Sequence, residues 1–452
     1  MKITFLGATR TVTGSKYLIE TENHKTLIDC GLFQGYKKLR LRNWNKLPIN
    51  PAEIDSVILT HAHIDHSGYI PVLVKNGFRG KIYCTKPTYE LCSLLLPDSG
   101  YLQEEDAKRA NKYGYSKHSP ALPLYTKKEG ENALKYFHAR DFEVITELYD
   151  DLSFKFKWAG HILGAASIKL EQKDKSIFFT GDLGRPDDHI MNAPEIVEYS
   201  DYIVAESTYG NRLHKKTDPI EEMEEVINST VRSGGKILIP SFAVGRAQSI
   251  LYYIYKLKQE GRISSDIPVY LDSPMSINAT NIFNKYHEEH RLTKKEAEGV
   301  CGSAIFTRTQ EESKEIGYSS VPSIIISASG MATGGRVLHH LKNIAPDRKN
   351  TILFTGFQAG GTRGDRMVKG ETEVKIHGKM IPINARVEDL ENMSAHADYS
   401  EIMSYFSTLK EKPKKVFVTH GEYEASVSLK EKLEKSYDWN CVIPEYMDSE
   451  EL

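Results

Sequence analysis

The segment His61-Ala62-His63-Ile64-Asp65-His66 limits what this chain can fold into more than any other stretch. It follows the apolar run Val57-Ile58-Leu59 and precedes Ser67-Gly68, so it stands where a buried strand ends and a turn begins. Imidazoles two residues apart at a strand end can face one ion, while Asp65 and His66, opening the turn, can face a second. So dense a run of ligand-type side chains is too ordered for a merely solvated loop.

A metal pair needs more donors, and other predicted strand ends offer them. Ala159-Gly160-His161-Ile162-Leu163-Gly164 carries a third imidazole, and Phe178-Phe179-Thr180-Gly181-Asp182 carries a carboxylate that could bridge two ions. Val416-Phe417-Val418-Thr419-His420-Gly421 ends in a last imidazole. Asp29, after Thr26-Leu27-Ile28, is better placed to orient a ligand from behind. Each of these alone reads more simply as a turn cap; beside the histidine cluster they form a set.

Size and composition bound the rest. At roughly 100–200 residues per domain, 452 residues predict two or three domains, which excludes small disulfide or metal-finger scaffolds. A hydrophobic fraction of 40% with 27% charged residues is the balance of a globular protein that folds in water. Lys and Arg total 59 against 61 Asp and Glu, a net charge of −2, so any polyanion site must be local. The five cysteines are scattered and never form C-x-x-C, which argues against a disulfide framework or thiolate cage and points to a reducing cytoplasm. The start, Met1-Lys2-Ile3-Thr4-Phe5-Leu6-Gly7, alternates like a strand, and no run of about 18 apolar residues could span a bilayer. No membrane partner is expected.

Along the chain, residues 1–207 begin as short strands, turn helical and polar from about 86 to 140, and return to strands. From 208 to 371 the texture is strand-then-helix alternation, which predicts a parallel sheet flanked by helices. Residues 372–452 resume the hairpin texture. The simplest organisation is an αββα sandwich interrupted by an inserted α/β domain.

At this point the chain resembles the metallo-β-lactamase superfamily, on Asp29, His61-Ala62-His63-Ile64-Asp65-His66, His161 and Asp182. Within it the chain resembles the β-CASP nucleases, on Ala205-Glu206-Ser207-Thr208-Tyr209-Gly210, Met393-Ser394-Ala395-His396-Ala397-Asp398 and Val418-Thr419-His420-Gly421-Glu422. The likeness is greatest to bacterial and archaeal relatives of the nuclease subunit of the cleavage and polyadenylation factor. No stretch resembles the KH extension or long C-terminal domain of some relatives, so their appendages are not expected here.

The resemblance implies two zinc ions, one held by His61, His63 and His161, the other by Asp65, His66 and His420, with Asp182 bridging. It implies a metal-activated water attacking phosphorus, and a catalytic set of His396, Glu206, Asp29 and Asp65. In that set His396 protonates the leaving oxygen and Glu206 orients and charges it. The implied activity is endonucleolytic hydrolysis of single-stranded RNA, leaving 5′-phosphate and 3′-hydroxyl ends, with 5′-to-3′ exonucleolytic trimming and a homodimer left open. A DNA substrate stays open, as does a small ester, thioester or lactone substrate, which would not need the inserted domain. A silent RNA-binding subunit would have lost ligands that this chain keeps.

Two strand-to-helix turns are candidate phosphate contacts, and a third Gly-rich turn stands beside them. Ser327-Ala328-Ser329-Gly330-Met331-Ala332-Thr333-Gly334-Gly335-Arg336 lies between an apolar strand and a helix, where backbone N–H groups and the Arg336 fork suit an anion. Ser329, Gly330, Arg336, Ser394 and Arg246, the last in Pro240–Gln248, form the expected substrate-binding group. The third turn, Gly356–Gly364, has no assigned role. Lys108, Arg109, Lys112, Lys117, His118, Lys127 and Lys128 interleave with Tyr101, Tyr113, Tyr115 and Tyr125, a pattern suited to stacking a single strand or to a solvated helical face.

Overall fold

Strand alternation packs the segments that carry the candidate ligands between two cores. In Lys175–Phe179, Tyr202–Glu206 and Lys415–Thr419, successive side chains serve two cores. Phe179, Val204 and Phe417 point inward to meet Ile3, Phe5, Ile19, Ile28 and Ile58 of the facing sheet. Phe178, Ile203, Ala205, Val416 and Val418 point outward, against Ile402, Phe406, Leu429 and Leu433. Those last four belong to helices Tyr399–Phe406 and Tyr423–Tyr437. Each such buried side chain contributes roughly 1.5–3 kcal/mol relative to exposure. The architecture is therefore helix, sheet, sheet, helix, as the sequence implies.

The computed structural model describes every residue except Tyr115, Asp150, Val197, Glu198, Phe357 and Ala359, and the backbone alone of Glu391. The chain packs as two units: Met1–Leu213 with His396–Leu452, and His214–Ala395.

In the first unit one sheet runs, in spatial order, Ser449–Glu451, Lys2–Phe5, Tyr17–Glu20, Lys25–Ile28, Ser56–Ile58, Lys81–Thr85, Phe137–Arg140. The facing sheet runs Cys441–Val442, Lys415–Thr419, Tyr202–Glu206, Lys175–Phe179, Ala166–Gln172, Leu152–Trp158, Thr146–Tyr149. Parallel pairing of Lys25–Ile28 with Ser56–Ile58 aligns the ends that lead into Asp29 and His61. Parallel pairing of Lys175–Phe179, Tyr202–Glu206 and Lys415–Thr419 likewise aligns the ends leading to Asp182, Glu206 and His420. Carboxyl ends of parallel strands are where α/β folds place their chemistry. Asp29 and His420 both adopt left-handed backbone, at φ 59° and 48°. Non-glycine residues do so at a cost and are held there by their surroundings. Here the His420 N–H donates to the Ala8 carbonyl at 2.7 Å and the Asp29 N–H to the Ile58 carbonyl at 2.9 Å.

The second unit centres on a six-stranded sheet, in order Ile305–Phe306, Val269–Leu271, Ile324–Ser327, Ile237–Pro240, Thr351–Phe354, Arg386–Asp389, with every pairing parallel. Ile324, Ile325 and Ile326 are fully buried, as expected of a parallel strand covered on both faces. The unit runs past the boundary read at 371, because Arg386–Asp389 extends this sheet beside Thr351–Phe354. The hairpin Glu373–Ile376 with Lys379–Pro382 also belongs to it, packing Val374 and Ile376 into its core. Among the described residues, no helix is long and apolar enough to cross a membrane.

Candidate metal centre

The turn after Ser56–Ile58 carries His61 and His63 outward, and the short helix Ile64–Ser67 carries Asp65 and His66. That turn is clamped to the loop after Asp29. The Cys30 N–H donates to the His66 carbonyl at 2.7 Å, the Leu32 N–H to the Ile64 carbonyl at 2.9 Å, and the Ser15 N–H to the Asp65 carbonyl at 2.9 Å. Gly31 sits where a Cβ would overlap the Asp65 carbonyl, so only glycine allows the two loops to close.

Two donor groups result. In the first, His63 Nδ1 lies 3.1 Å from His61 Nε2 and 3.2 Å from His161 Nε2. In the second, His66 Nε2 lies 3.1 Å from His420 Nε2, which is 3.6 Å from Asp65 Oδ2. Asp182 stands between them. Its Oδ2 is 3.4 Å from His61 Nε2 and 3.6 Å from His161 Nε2, while its Oδ1 is 3.3 Å from His66 Nε2. Each group brings its ligand atoms within 4.8 Å of one another, the reach of a single cation.

Residues behind the donors fix which ring nitrogen faces inward. His66 Nδ1 donates to Asp29 Oδ2 at 2.7 Å, which turns Nε2 toward Asp182. Asp29 in turn accepts from the Thr60 N–H at 2.7 Å and from its hydroxyl. With its proton given to Asp29, Thr60 Oγ1 accepts from His61 Nδ1 at 3.0 Å, so His61 also turns Nε2 inward. Thr208 Oγ1 stands 3.2 Å from His420 Nδ1. Orienting partners of this kind accompany metal-ligating imidazoles. The sequence reading names Asp29 but overlooks Thr60 and Thr208; their positions beside His61 and within the Glu206 motif were the available signal.

The electrostatics demand positive charge at the centre. Burial holds the His61 imidazolium well below its ordinary range and lowers His63, keeping both rings neutral, which is their ligand form. At His66 burial opposes protonation, yet Asp182, Asp29 and Asp65 together hold the ring protonated well above its usual range. Burial would raise Asp65 and Asp182, but His66 and His420 press Asp65 down to about 2, and His420, His66 and His61 hold Asp182 well below the usual carboxylate range. Asp182 Oδ1 is buried without a hydrogen-bond donor. A buried carboxylate set among imidazole nitrogens is what a bridging metal ligand would present, and mixed imidazole and carboxylate donors suit zinc.

Beside this cluster His396 Nδ1 donates to Glu206 Oε1 at 3.2 Å, and its ring lies 4.4 Å, centroid to centroid, from that of His161. Glu206 is buried and accepts from the Leu183 N–H at 2.7 Å and the Thr208 N–H at 3.1 Å, which fixes its position. Burial disfavours charge on His396, but Glu206 first, then Asp182 and Asp65, raise it to about 9.

Family models match three parts of the chain. The metallo-beta-lactamase superfamily matches residues 10–233, the Beta-Casp domain residues 247–367, and the Zn-dependent metallo-hydrolase RNA specificity domain residues 380–444. The chain is 33% identical to a ribonuclease of Thermus thermophilus, over 95% of each chain. It belongs to the β-CASP ribonucleases of the metallo-β-lactamase superfamily. It is also 31% identical to transcription termination factor FttA of Methanocaldococcus jannaschii, over 99% of this chain and 71% of that one. An RNase J-like protein of the same organism is 33% identical, over 94% and 93%. A solved structure of a protein of unknown function from Enterococcus faecalis shares the fold at a TM-score of 0.55 and 14% identity, over 99% of both chains.

The expected phosphate group of this β-CASP chain fares differently. Arg336 does not offer its fork to an anion: Nη1 donates to Asp272 Oδ1 at 2.6 Å and to the Thr307 carbonyl, and Nη2 to the Arg308 carbonyl. Asp272 is fully buried and also binds His340 Nε2 at 2.6 Å and the Ser313 hydroxyl, so it recruits the arginine as a counter-ion. Ser329 Oγ is turned back onto the Thr333 N–H at 3.0 Å. Gly330 lies where a Cβ would press on Phe242, and Arg246 opens the helix Arg246–Gln259 near Gly356. Ser394 is buried two residues before His396. In the third turn the Gln358 amide and Arg363 guanidinium donate to carbonyls of residues 330, 332 and 333, bracing that loop; Phe357 and Ala359 lie outside the described residues. Arg336→Ala is therefore expected to lower stability by about 1–3 kcal/mol, by stranding part of a buried carboxylate. A denaturant titration reads this. An unchanged midpoint with a flattened salt dependence of RNA binding would restore the phosphate role.

The Lys- and Tyr-rich insertion is also only partly available. Tyr125 is fully buried and Lys108 pairs with Glu105 at 2.8 Å, whereas Tyr101 and Tyr113 are exposed; Tyr115 lies outside the described residues.

Proposed function

We propose that the chain hydrolyses RNA phosphodiester bonds at this centre, leaving 5′-phosphate and 3′-hydroxyl ends. The observation that carries this is the position of Asp182, each of whose oxygens faces a different donor group. In this reading His61, His63 and His161 would hold one zinc and Asp65, His66 and His420 the other, with Asp182 available to both. When bound, such a pair supplies Lewis acidity and a water whose pKa falls to about 7.

The protein's own residues do the rest. Asp29 and Thr60 keep His66 and His61 in the ligating tautomer. Glu206 accepts the Nδ1 proton of His396, so Nε2 carries the proton that the departing 3′-oxygen needs. Burial of Asp182, Glu206, His61, His66, His161 and His420 keeps bulk water from much of the site, so fixed dipoles position the attacking and leaving groups. RNA as substrate is supported by the relatives named ribonuclease and RNase J-like and by the RNA specificity domain at residues 380–444.

The test is incubation of purified protein with a 5′-labelled single-stranded RNA and the matching DNA, with product ends mapped. Cleavage of the RNA to 5′-phosphorylated fragments, abolished by chelator, is expected. RNA left intact while an ester or the DNA is cut would transfer the site to another substrate.

A further inference from the structure

The stretch between Phe33 and Pro51 stands apart from a chain whose charges otherwise balance. It holds five cations, Lys37, Lys38, Arg40, Arg42 and Lys46, and no carboxylate. Lys37, Lys38, Arg40 and Lys46 are exposed, and none of them is ion-paired among the described residues. The same stretch exposes large apolar side chains: Tyr36 by 67%, Leu41 by 52% and Trp44 by 59%. Trp44 is one of three tryptophans; Trp439 is buried and Trp158 half-buried. Exposed aromatics interleaved with unpaired cations mark a surface kept for a polyanion that also has flat faces.

The segment is firmly mounted on the metal centre. Asn43 is buried and its amide clamps Phe33, accepting from the Phe33 N–H at 2.9 Å and donating to its carbonyl at 2.8 Å. The Arg42 guanidinium lies over Tyr446 at 4.7 Å and over Phe33 at 5.4 Å, completing the mount. One residue earlier, Leu32 is bonded to Ile64, next to Asp65 and His66. A strand lying across Tyr36 to Trp44 is thus held beside the loop that supplies half the metal donors. Lys37 and Arg40, three apart on the helix Lys37–Arg42, share a face with roughly 5–6 Å between Cβ atoms, so two phosphates can be met together.

We propose that residues 34–46 form a single-stranded RNA platform, with bases stacking on Tyr36 and Trp44 and backbone phosphates pairing with Lys37, Lys38 and Arg40. This rests on the reading of the chain as a ribonuclease and names where it grips substrate away from the reacting phosphate. A membrane or neutral protein surface would not call for so many unpaired cations; an acidic protein would not need flat stacking faces.

Two measurements test it on the full chain. Binding of a fluorescent single-stranded RNA of about 20 nucleotides is followed by anisotropy with chelator present, so that nothing is cut, at several salt concentrations. Trp44→Ala should weaken binding roughly tenfold, with Trp44→Phe restoring most of it. Joint Lys37→Gln, Lys38→Gln and Arg40→Gln substitution should reduce the slope of log affinity against log salt by about 2. Cleavage kinetics with metal should then show KM effects that grow with RNA length and vanish for a dinucleotide. Unchanged affinity and slope overturn the platform and leave this face to a protein partner; losses equal for dinucleotide and long RNA overturn it too. A chain that binds RNA through Trp44 but never cuts it would fail only the ribonuclease reading. All these side chains are exposed, so the folded state is expected to survive, and unfolding midpoints check this.

Discussion

His396→Ala is expected to slow RNA cleavage by roughly 10²–10⁴-fold while leaving an activated nitrophenyl phosphodiester far less affected. The argument is about the leaving group. A ribose 3′-alkoxide is expelled poorly without a proton, whereas nitrophenolate departs unaided. In the proposed reading His396 delivers that proton: its Nδ1 is committed to Glu206 at 3.2 Å, and its ring stands against His161 at 4.4 Å. The imidazolium must be charged to act, and Glu206 raises it to about 9 against the opposing effect of burial. RNA cleavage should therefore hold below that pH and fall as pH rises through it; cations bound nearby would move this limb downward. His396→Ala should lack the limb. Glu206→Gln should give a milder version of the same split, since an amide keeps one acceptor for the N–H groups of Leu183 and Thr208 but removes the charge. Equal losses on both substrates would show that His396 serves the fold or the metals and not the leaving group.

The residues around His396 show what is legible in a sequence and what is not. The strand-end donors are legible because local rules put them there: an apolar run fixes a buried strand, and the polar residues just after it must emerge at its carboxyl end. The two-layer sandwich follows from the same alternation, in which Phe178 and Phe179 each face a different core. What stays hidden depends on long-range pairing. Arg336 looks like an anion fork beside glycines, yet Asp272, 64 residues earlier, claims it. Nothing local to either residue announces the other. The end of the inserted domain is missed for a related reason: Arg386–Asp389 is a polar edge strand whose only mark of membership is its partner, Thr351–Phe354. Thr60 and Thr208 are hidden differently, since a threonine beside a motif is too common to single out until its hydroxyl is seen on an imidazole.

The platform at residues 34–46 was open to a reader of the sequence, but net charge conceals it. A total of −2 averages a basic stretch against acidic ones elsewhere, and only counting along the chain separates them. Exposure then distinguishes it from the insertion around residue 110, where Tyr125 is wholly buried.

Metal stoichiometry should dissect the centre residue by residue. Elemental analysis is expected to find close to two zinc ions per wild-type chain. His63→Ala should keep about one, because His63 Nδ1 meets only the first donor group, at 3.1 Å from His61 and 3.2 Å from His161. His420→Ala should also keep about one, but the other one, because His420 faces His66 and Asp65. Asp182→Asn should lose both: its two oxygens face different groups, and the amide supplies neither the charge nor the second acceptor. All three should lose RNA cleavage. Stability should follow occupancy, since the buried imidazoles and carboxylates demand a cation that only the folded chain assembles. At zinc a thousandfold above its dissociation constant, each filled site adds about 4 kcal/mol, which for a unit of this size raises the unfolding midpoint by roughly 8–16 °C. Chelator should reverse that shift in the wild type and have almost no effect on Asp182→Asn. Should the wild type cut RNA at full rate after its transition metals are removed, or should Asp182→Asn retain two ions, Asp182 would not be the bridge and the two donor groups would have to be read as structural.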